Sequence, residues 1–134
     1  MTADAIDTNI VLRYILGDVP EQRQKVAEFL RESKTTHYLD SKVILECIYV
    51  MEVALEMSRE EVEGLLSLFL TRYSDVLEYD RKVIAIAFPC YLAHPKLSWV
   101  DCALAAEAEI RLRKPLLTFD RKLASQLPQA RMLV

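Results

Sequence analysis

The sequence predicts an α/β fold built on a parallel sheet, and three observations carry that prediction. Short β-type runs alternate with longer runs at helical spacing along the chain. No stretch resembles a linker or an internal repeat, and 134 residues suit one compact domain, read as 1–134. A hydrophobic share of 52% against 28% charged is too apolar for a disordered chain.

The elements follow in order. Ala3 to Ile6 is a short apolar strand that ends at Asp7-Thr8-Asn9, and Ile10, Val11, Tyr14 and Ile15 then keep helical spacing up to Gly17. Pro20-Glu21 opens a second helix with Val26, Phe29 and Leu30 on one side, ending in the polar stretch Ser33 to Thr36. His37-Tyr38-Leu39 is the second strand, after which Asp40 or Ser41 caps an apolar helix from Val43 to Leu55. Ser58-Arg59-Glu60-Glu61 is a capping box, and Val62, Leu65, Leu66, Phe69 and Tyr73 form the stripe behind it. Val76 to Tyr79 is the third strand, and Asp80 caps a helix towards Tyr91 that Pro89 should kink or end early. Ser98 starts a helix with Ala103, Ala105, Ala106 and Ala108, stopped by Pro115. Leu116 to Phe119 is the fourth strand, Asp120 caps a short helix to Leu127, and Arg131 to Val134 adds a fifth strand.

Composition narrows the function. Seventeen Lys+Arg against twenty Asp+Glu gives a net charge of −3, which lacks the basic footprint of a simple nucleic-acid binder. Two glycines, Gly17 and Gly64, exclude a Gly-rich phosphate loop. The longest stretch free of charge and histidine, Val83 to Ala93, contains Pro89 and is far shorter than the roughly 18 residues of a membrane span; with no signal-peptide pattern at the start, a cytoplasmic protein is expected. Cys47, Cys90 and Cys102 each sit in an apolar run and read as reduced core residues. His37 and His94 read as a strand-edge and a loop residue.

Ligands of an open parallel sheet bind beyond the carboxyl ends of its strands, and here the residues that follow the four strands are Asp7, Asp40, Asp80 and Asp120. Aspartate is also a favoured helix N-cap, so one such acid means little. Glu46 carries the only charge between Val43 and Met51, and a buried carboxylate needs a partner or a metal; an exposed face of an amphipathic helix is the alternative. Asp101 fits the acidic form of a capping box, Ser98-Trp99-Val100-Asp101.

The ordered set is more specific than its members. Ile6-Asp7-Thr8-Asn9, Leu45-Glu46, Trp99-Val100-Asp101-Cys102-Ala103-Leu104-Ala105-Ala106 and Leu117-Thr118-Phe119-Asp120 place an acid at a strand end, in a helix, in a first helical turn and at a strand end. The chain resembles the PIN domain, a metal-dependent nuclease fold, and most of all the compact VapC-type toxins of toxin–antitoxin pairs. The resemblance implies a three-layer fold with helices on both faces of a parallel sheet in the order 3-2-1-4-5, and acids gathered at one edge. It implies that Asp7, Glu46, Asp101 and Asp120 are catalytic, that Asp7, Glu46 and Asp101 hold a metal, and that Asn9 and Thr118 support the site. Asp40 and Asp80 match no catalytic position and read as caps. The sequence departs from the family pattern at Arg113-Lys114, where a glycine often precedes the strand, and at Pro89.

Oxygen ligands suit Mg²⁺ or Mn²⁺, and a bound cation reverses the field of crowded carboxylates so that an acidic protein accepts a phosphodiester. Arg13, Lys42, Arg121 and Lys122 lie close in sequence to the acids and are candidates for RNA backbone contact, though each also suits a solvated surface. The expected function is a Mg²⁺- or Mn²⁺-dependent endoribonuclease, a hydrolase of RNA phosphodiester bonds and the toxin of a type II pair. The alternative is a catalytically inactive PIN-like module that binds a protein. A phosphatase with a second acid two residues after its nucleophile is disfavoured by Asn9, and a receiver domain built on Asp80 lacks its lysine. Surplus apolar residues on the helical surface, Leu12, Phe29, Leu68 and Phe69, suggest an interface. The resemblance names its users, a homodimer and a cognate antitoxin.

Overall fold

The structure, a computed structural model, describes residues 2–134. They form two compact units, one ending at Tyr79 and the other beginning at Asp80.

The first unit contains strands β1 (Thr2–Ala5), β2 (Thr36–Tyr38) and β3 (Leu77–Glu78), and helices α1 (Thr8–Leu16), α2 (Pro20–Glu32), α3 (Ser41–Tyr49) and α4 (Arg59–Arg72). The strands are parallel in the order β1-β2-β3, so the expected 3-2-1 part of the sheet is present. Hydrogen bonds carry the pairing past the regular strands, from Ile6 N to Tyr38 O at 2.8 Å and from Leu39 N to Glu78 O at 2.9 Å. Asp7 and Asp40 therefore leave the sheet at the same carboxyl edge.

The helices bury residues at i, i+3 and i+4. In α1 these are Thr8, Val11 and Leu12. Leu12, expected near the surface, is in the core, and Ile10, expected in the apolar stripe, lies outside it. In α4 the buried set is Val62, Leu66, Phe69 and Leu70, so Phe69 also belongs inside, where its ring meets Tyr14 and Tyr73 at 5.4 and 5.6 Å. Phe29 and Leu68 do stay exposed, at 47% and 66%. α1 ends where Gly17 takes a φ of 62°, in the left-handed region, and its N–H bonds Arg13 O at 3.2 Å. The expected long helix to Leu55 is α3 followed by a π-helical turn, Val50–Ala54.

His37 is not at a strand edge. β2 is paired on both sides, and the alternation of the strand turns the imidazole inward, where its Nε2 lies 2.9 Å from Ser33 Oγ and its ring 4.7 Å from Phe29.

The second unit contains α5 (Arg81–Ala93), α6 (Trp99–Glu107), a π-helical turn (Ala108–Leu112), β4 (Leu116–Thr118), α7 (Arg121–Gln126) and β5 (Ala130–Met132). β4 and β5 pair in parallel with Leu116 opposite Ala130 and Thr118 opposite Met132, with α7 between them in sequence. The fifth strand thus begins one residue earlier than expected. α5 continues through Pro89 to Ala93, where the sequence suggested a kink or an early end. Phe88 and Tyr91, which flank the proline, are buried against Trp99 of α6 at centroid distances of 4.9 and 5.7 Å, and this packing offsets the lost hydrogen bond. Ala87, Ala105 and Ala106 are fully buried, as small residues at a close helix contact should be.

The hydrogen-bonded ladders among the described residues are these two, β3-β2-β1 and β4-β5, within a mixed α/β architecture. No helix among them is long and apolar enough to cross a membrane.

Candidate functional site

The strand-end aspartates separate by what their side chains do. Asp40 Oδ1 accepts from Lys42 N at 2.7 Å and lies 3.2 Å from Lys42 Nζ. That backbone N–H first, and the lysine charge after it, hold the Asp40 carboxyl below the ordinary aspartate range. Asp80 Oδ1 accepts from Val83 N at 3.3 Å, and its Oδ2 is bound by Arg111. Both are caps, as expected. Asp120 Oδ1 accepts from Lys122 N and Leu123 N at 2.9 and 3.3 Å, so it too caps its helix. Thr118 Oγ1 accepts from Asp120 N at 2.9 Å and fixes the turn from β4 into α7.

Asp7 differs. It occupies the N-cap position of α1 with φ −82° and ψ 159°, yet its side chain makes no cap hydrogen bond, and it is exposed. A carboxylate at a helix N-terminus gains from the backbone dipole without being consumed by it.

Glu46 is exposed, which corrects the expectation of a buried carboxylate. The reason is the helical period. Ile44, Cys47, Ile48 and Met51 face the core, so Lys42, Glu46, Tyr49 and Val53 fall on the outer side. Its neighbour Cys47 responds to both candidate metal-binding acids of this unit. Burial first, then the negative charges of Glu46 and Asp7, push the Cys47 thiol up to about 12. Asp7 and Glu46 thus act on one sulfur, and that sulfur stays protonated.

In the second unit Asp101 Oδ2 accepts from Ser98 N at 3.1 Å while Ser98 Oγ accepts from Asp101 N at 3.1 Å, the capping box expected from the sequence. The box uses one carboxylate oxygen. Among the described residues, no three His, Cys, Asp or Glu side chains converge as a metal cage.

Of the candidate phosphate contacts, Arg13 is held by Asp18 at 3.3 Å and Gln22 at 2.9 Å, and Lys42 by Asp40, whereas Arg121 and Lys122 are exposed. Arg13 and Asn9 line a cleft in the first unit together with Ile10, Gln22, Lys25 and Val26. Lys25 was not singled out by the sequence. It is 18 residues from Asp7 and on a different helix, and only the packing of α2 against α1 brings it to Asn9.

The family model described as PIN domain matches residues 5–126. No curated protein matches the chain. Among solved structures, the chain is similar to one described as the crystal structure of VapBC2 from Rickettsia felis bound to a DNA fragment from their promoter. The identity is 18%, the match covers 97% of this chain and 96% of that one, and the TM-score is 0.40.

Proposed function

This chain belongs to the PIN-domain family, and from that premise we propose that it is a Mg²⁺- or Mn²⁺-dependent endoribonuclease and the toxin of a type II toxin–antitoxin pair. The observation that carries the reading is Asp7, a strand-end carboxylate in cap position that its helix leaves unused, on a chain whose other strand-end aspartates are all engaged as caps.

We assign Asp7, Glu46 and Asp101 as metal ligands and Asp120 as the fourth catalytic acid, within one functional domain over 1–134. The donor chemistry fits a hard cation. These groups offer carboxylate oxygens, and the neighbouring Cys47 is turned into the core, away from them. When bound, the ion supplies positive charge at the scissile phosphate and lowers the pKa of an attacking water.

The chain's own residues do the rest. The capping box of α6 orients Asp101 through Oδ2, so the side chain is held before any ligand arrives. Asp120 uses Oδ1 for its cap, and its Oδ2 is available to accept a proton-bearing group of water or ribose. Asn9 and Thr118 support the site, and Arg13 and Lys25, which share a cleft with Asn9, supply cationic contact for the RNA backbone, with Lys42, Arg121 and Lys122 as further phosphate contacts. The exposed Phe29 and Leu68 suit a homodimer or antitoxin contact.

The test is cleavage of a mixed RNA substrate with Mg²⁺, Mn²⁺ or chelator, by wild type and by Asp7→Asn, Glu46→Gln and Asp101→Asn. The reading expects metal-dependent cleavage by wild type and a loss of at least about 100-fold in each variant. Asp120→Asn should lose less, since asparagine retains the cap. Variants that cut as fast as wild type overturn the site, and a folded wild type that cuts nothing while binding an antitoxin leaves the protein-binding module.

A further inference from the structure

Cys90 lies in the last turn of α5 and Cys102 in the first turns of α6, and the two sulfurs are 2.7 Å apart. Non-bonded heavy atoms ordinarily rest at about 3.5–4.0 Å, and a disulfide is about 2.05 Å, so the sulfurs are within about 0.7 Å of bonding distance. The surrounding packing holds them there. Trp99 of α6 packs tilted against Phe88 and edge-on against Tyr91 of α5, and Ala87, Ala105 and Ala106 are fully buried, so neither helix can move far from the other without opening the core of this unit.

Access is unequal. Cys102 is buried, Cys90 is half-buried, and Cys47 in the first unit is sealed at 0% exposure. An oxidant arriving from solvent therefore meets Cys90 first, with Cys102 directly behind it as a resolving thiol. Accessible cysteines poised beside a resolving cysteine are the ones that cycle reversibly, and intracellular disulfides are mostly of that transient kind.

We propose that Cys90 and Cys102 form a reversible redox site, closed to an intramolecular disulfide by a hydroperoxide and reopened by a dithiol. Cys90 Sγ attacks the terminal oxygen of the peroxide, the O–O bond breaks, and a sulfenic acid forms on Cys90 as water or an alcohol leaves. Cys102 Sγ then attacks the Cys90 sulfur, the S–O bond breaks, and the departing hydroxide leaves as water with the Cys102 proton. Two thiols are oxidised by two electrons in all, and the peroxide is reduced by the same two. A dithiol reverses the bond by exchange through a mixed disulfide. Cys102 follows Asp101 in α6, but the proposal does not rest on the nuclease reading, since its test needs neither metal nor RNA.

The experiment exposes the reduced full-length protein to one equivalent of hydrogen peroxide, alkylates it under denaturing conditions and measures intact mass and linked peptides. The expected product is a single chain with one alkyl group, on Cys47, and about 2 Da lighter than the reduced protein once that group is subtracted, with a Cys90–Cys102 crosslinked peptide and all three thiols restored by dithiothreitol. Cys47→Ser should give the same link. Cys90→Ser, a change at the half-buried position, should give none while retaining its circular dichroism spectrum. Over-oxidation of Cys90 to sulfinic acid without a link, a disulfide between chains, or a link through Cys47 would each overturn the proposal.

Discussion

Replacing Asp120 by alanine removes two hydrogen bonds, from Lys122 N at 2.9 Å and Leu123 N at 3.3 Å. Loss of an aspartate N-cap costs about 1 kcal/mol. For a chain of this size that is a fall in Tm of about 3–4 °C. Asp40→Ala, which loses the bond from Lys42 N, should fall by a similar amount. Asp7→Ala loses no cap bond. It forfeits a helix-dipole term of about 0.3–1 kcal/mol, reduced by solvent because the group is exposed, so its Tm in chelator should lie within about 2 °C of wild type. The assay is thermal unfolding followed by circular dichroism in EDTA, with RNA cleavage measured on the same preparations in Mn²⁺. Stability and activity should then separate at Asp7 and Asp40, while Asp120→Ala loses some of both. Asp120→Ala and Asp40→Ala should be less stable, with Asp40→Ala still cutting, and Asp7→Ala should be as stable as wild type and inactive. If Asp7→Ala falls as far as Asp120→Ala in EDTA, its carboxylate is structural and the argument from an unused cap is refuted.

Mn²⁺ at ten times its dissociation constant should add about 1.4 kcal/mol of stability, read as a Tm increase of about 4–5 °C, with no special preference for zinc; the increase should vanish in Asp7→Asn/Asp101→Asn, and a wild-type Tm indifferent to the metal would count against the ligand set. Arg113 is exposed with a φ of 53°, where the family often has glycine, so Arg113→Gly should raise stability by up to about 1 kcal/mol after the entropy of the freer unfolded chain is deducted, and a lower Tm would contradict this. Pro89→Ala restores a donor inside α5 at an exposed position and should raise Tm by about 3 °C or more, and an unchanged or lower Tm would contradict this. The Asp40 carboxyl is held below the ordinary value of 3.8, so its contribution is complete above that value and fades as pH falls through the folded one. The stability gap between wild type and Asp40→Ala should therefore narrow below pH 4, and a gap that widens there would reverse the sign.

The sequence by itself determined what depends on neighbours along the chain. Ser58 with Glu61 and Ser98 with Asp101 spell capping boxes because each bond spans three residues, and both boxes are present. Asp40 and Asp80 read as caps for the same reason. The alternation of strand and helix yielded the parallel pairings β1-β2-β3 and β4-β5, since each crossover is a local unit. The spaced acids pointed to the family whose model matches residues 5–126.

Tertiary structure decided what depends on which face meets the core. Counting charges between Val43 and Met51 suggested a buried Glu46, but the period of α3 turned it out and sealed Cys47 in. Leu12 and His37 went inside because α1 and β2 are covered on sides that no local pattern identifies, and Phe69 because the stripe behind Ser58 faces the core and not a partner. Pro89 broke no helix because Phe88 and Tyr91 are anchored on Trp99. The unused state of the Asp7 carboxylate and the contact between Cys90 and Cys102 have no signature in the letters. Hydrogen-bond direction at a helix terminus and the approach of two sulfurs across a helix pair are set by packing, and packing free energy is shared among residues far apart in the chain.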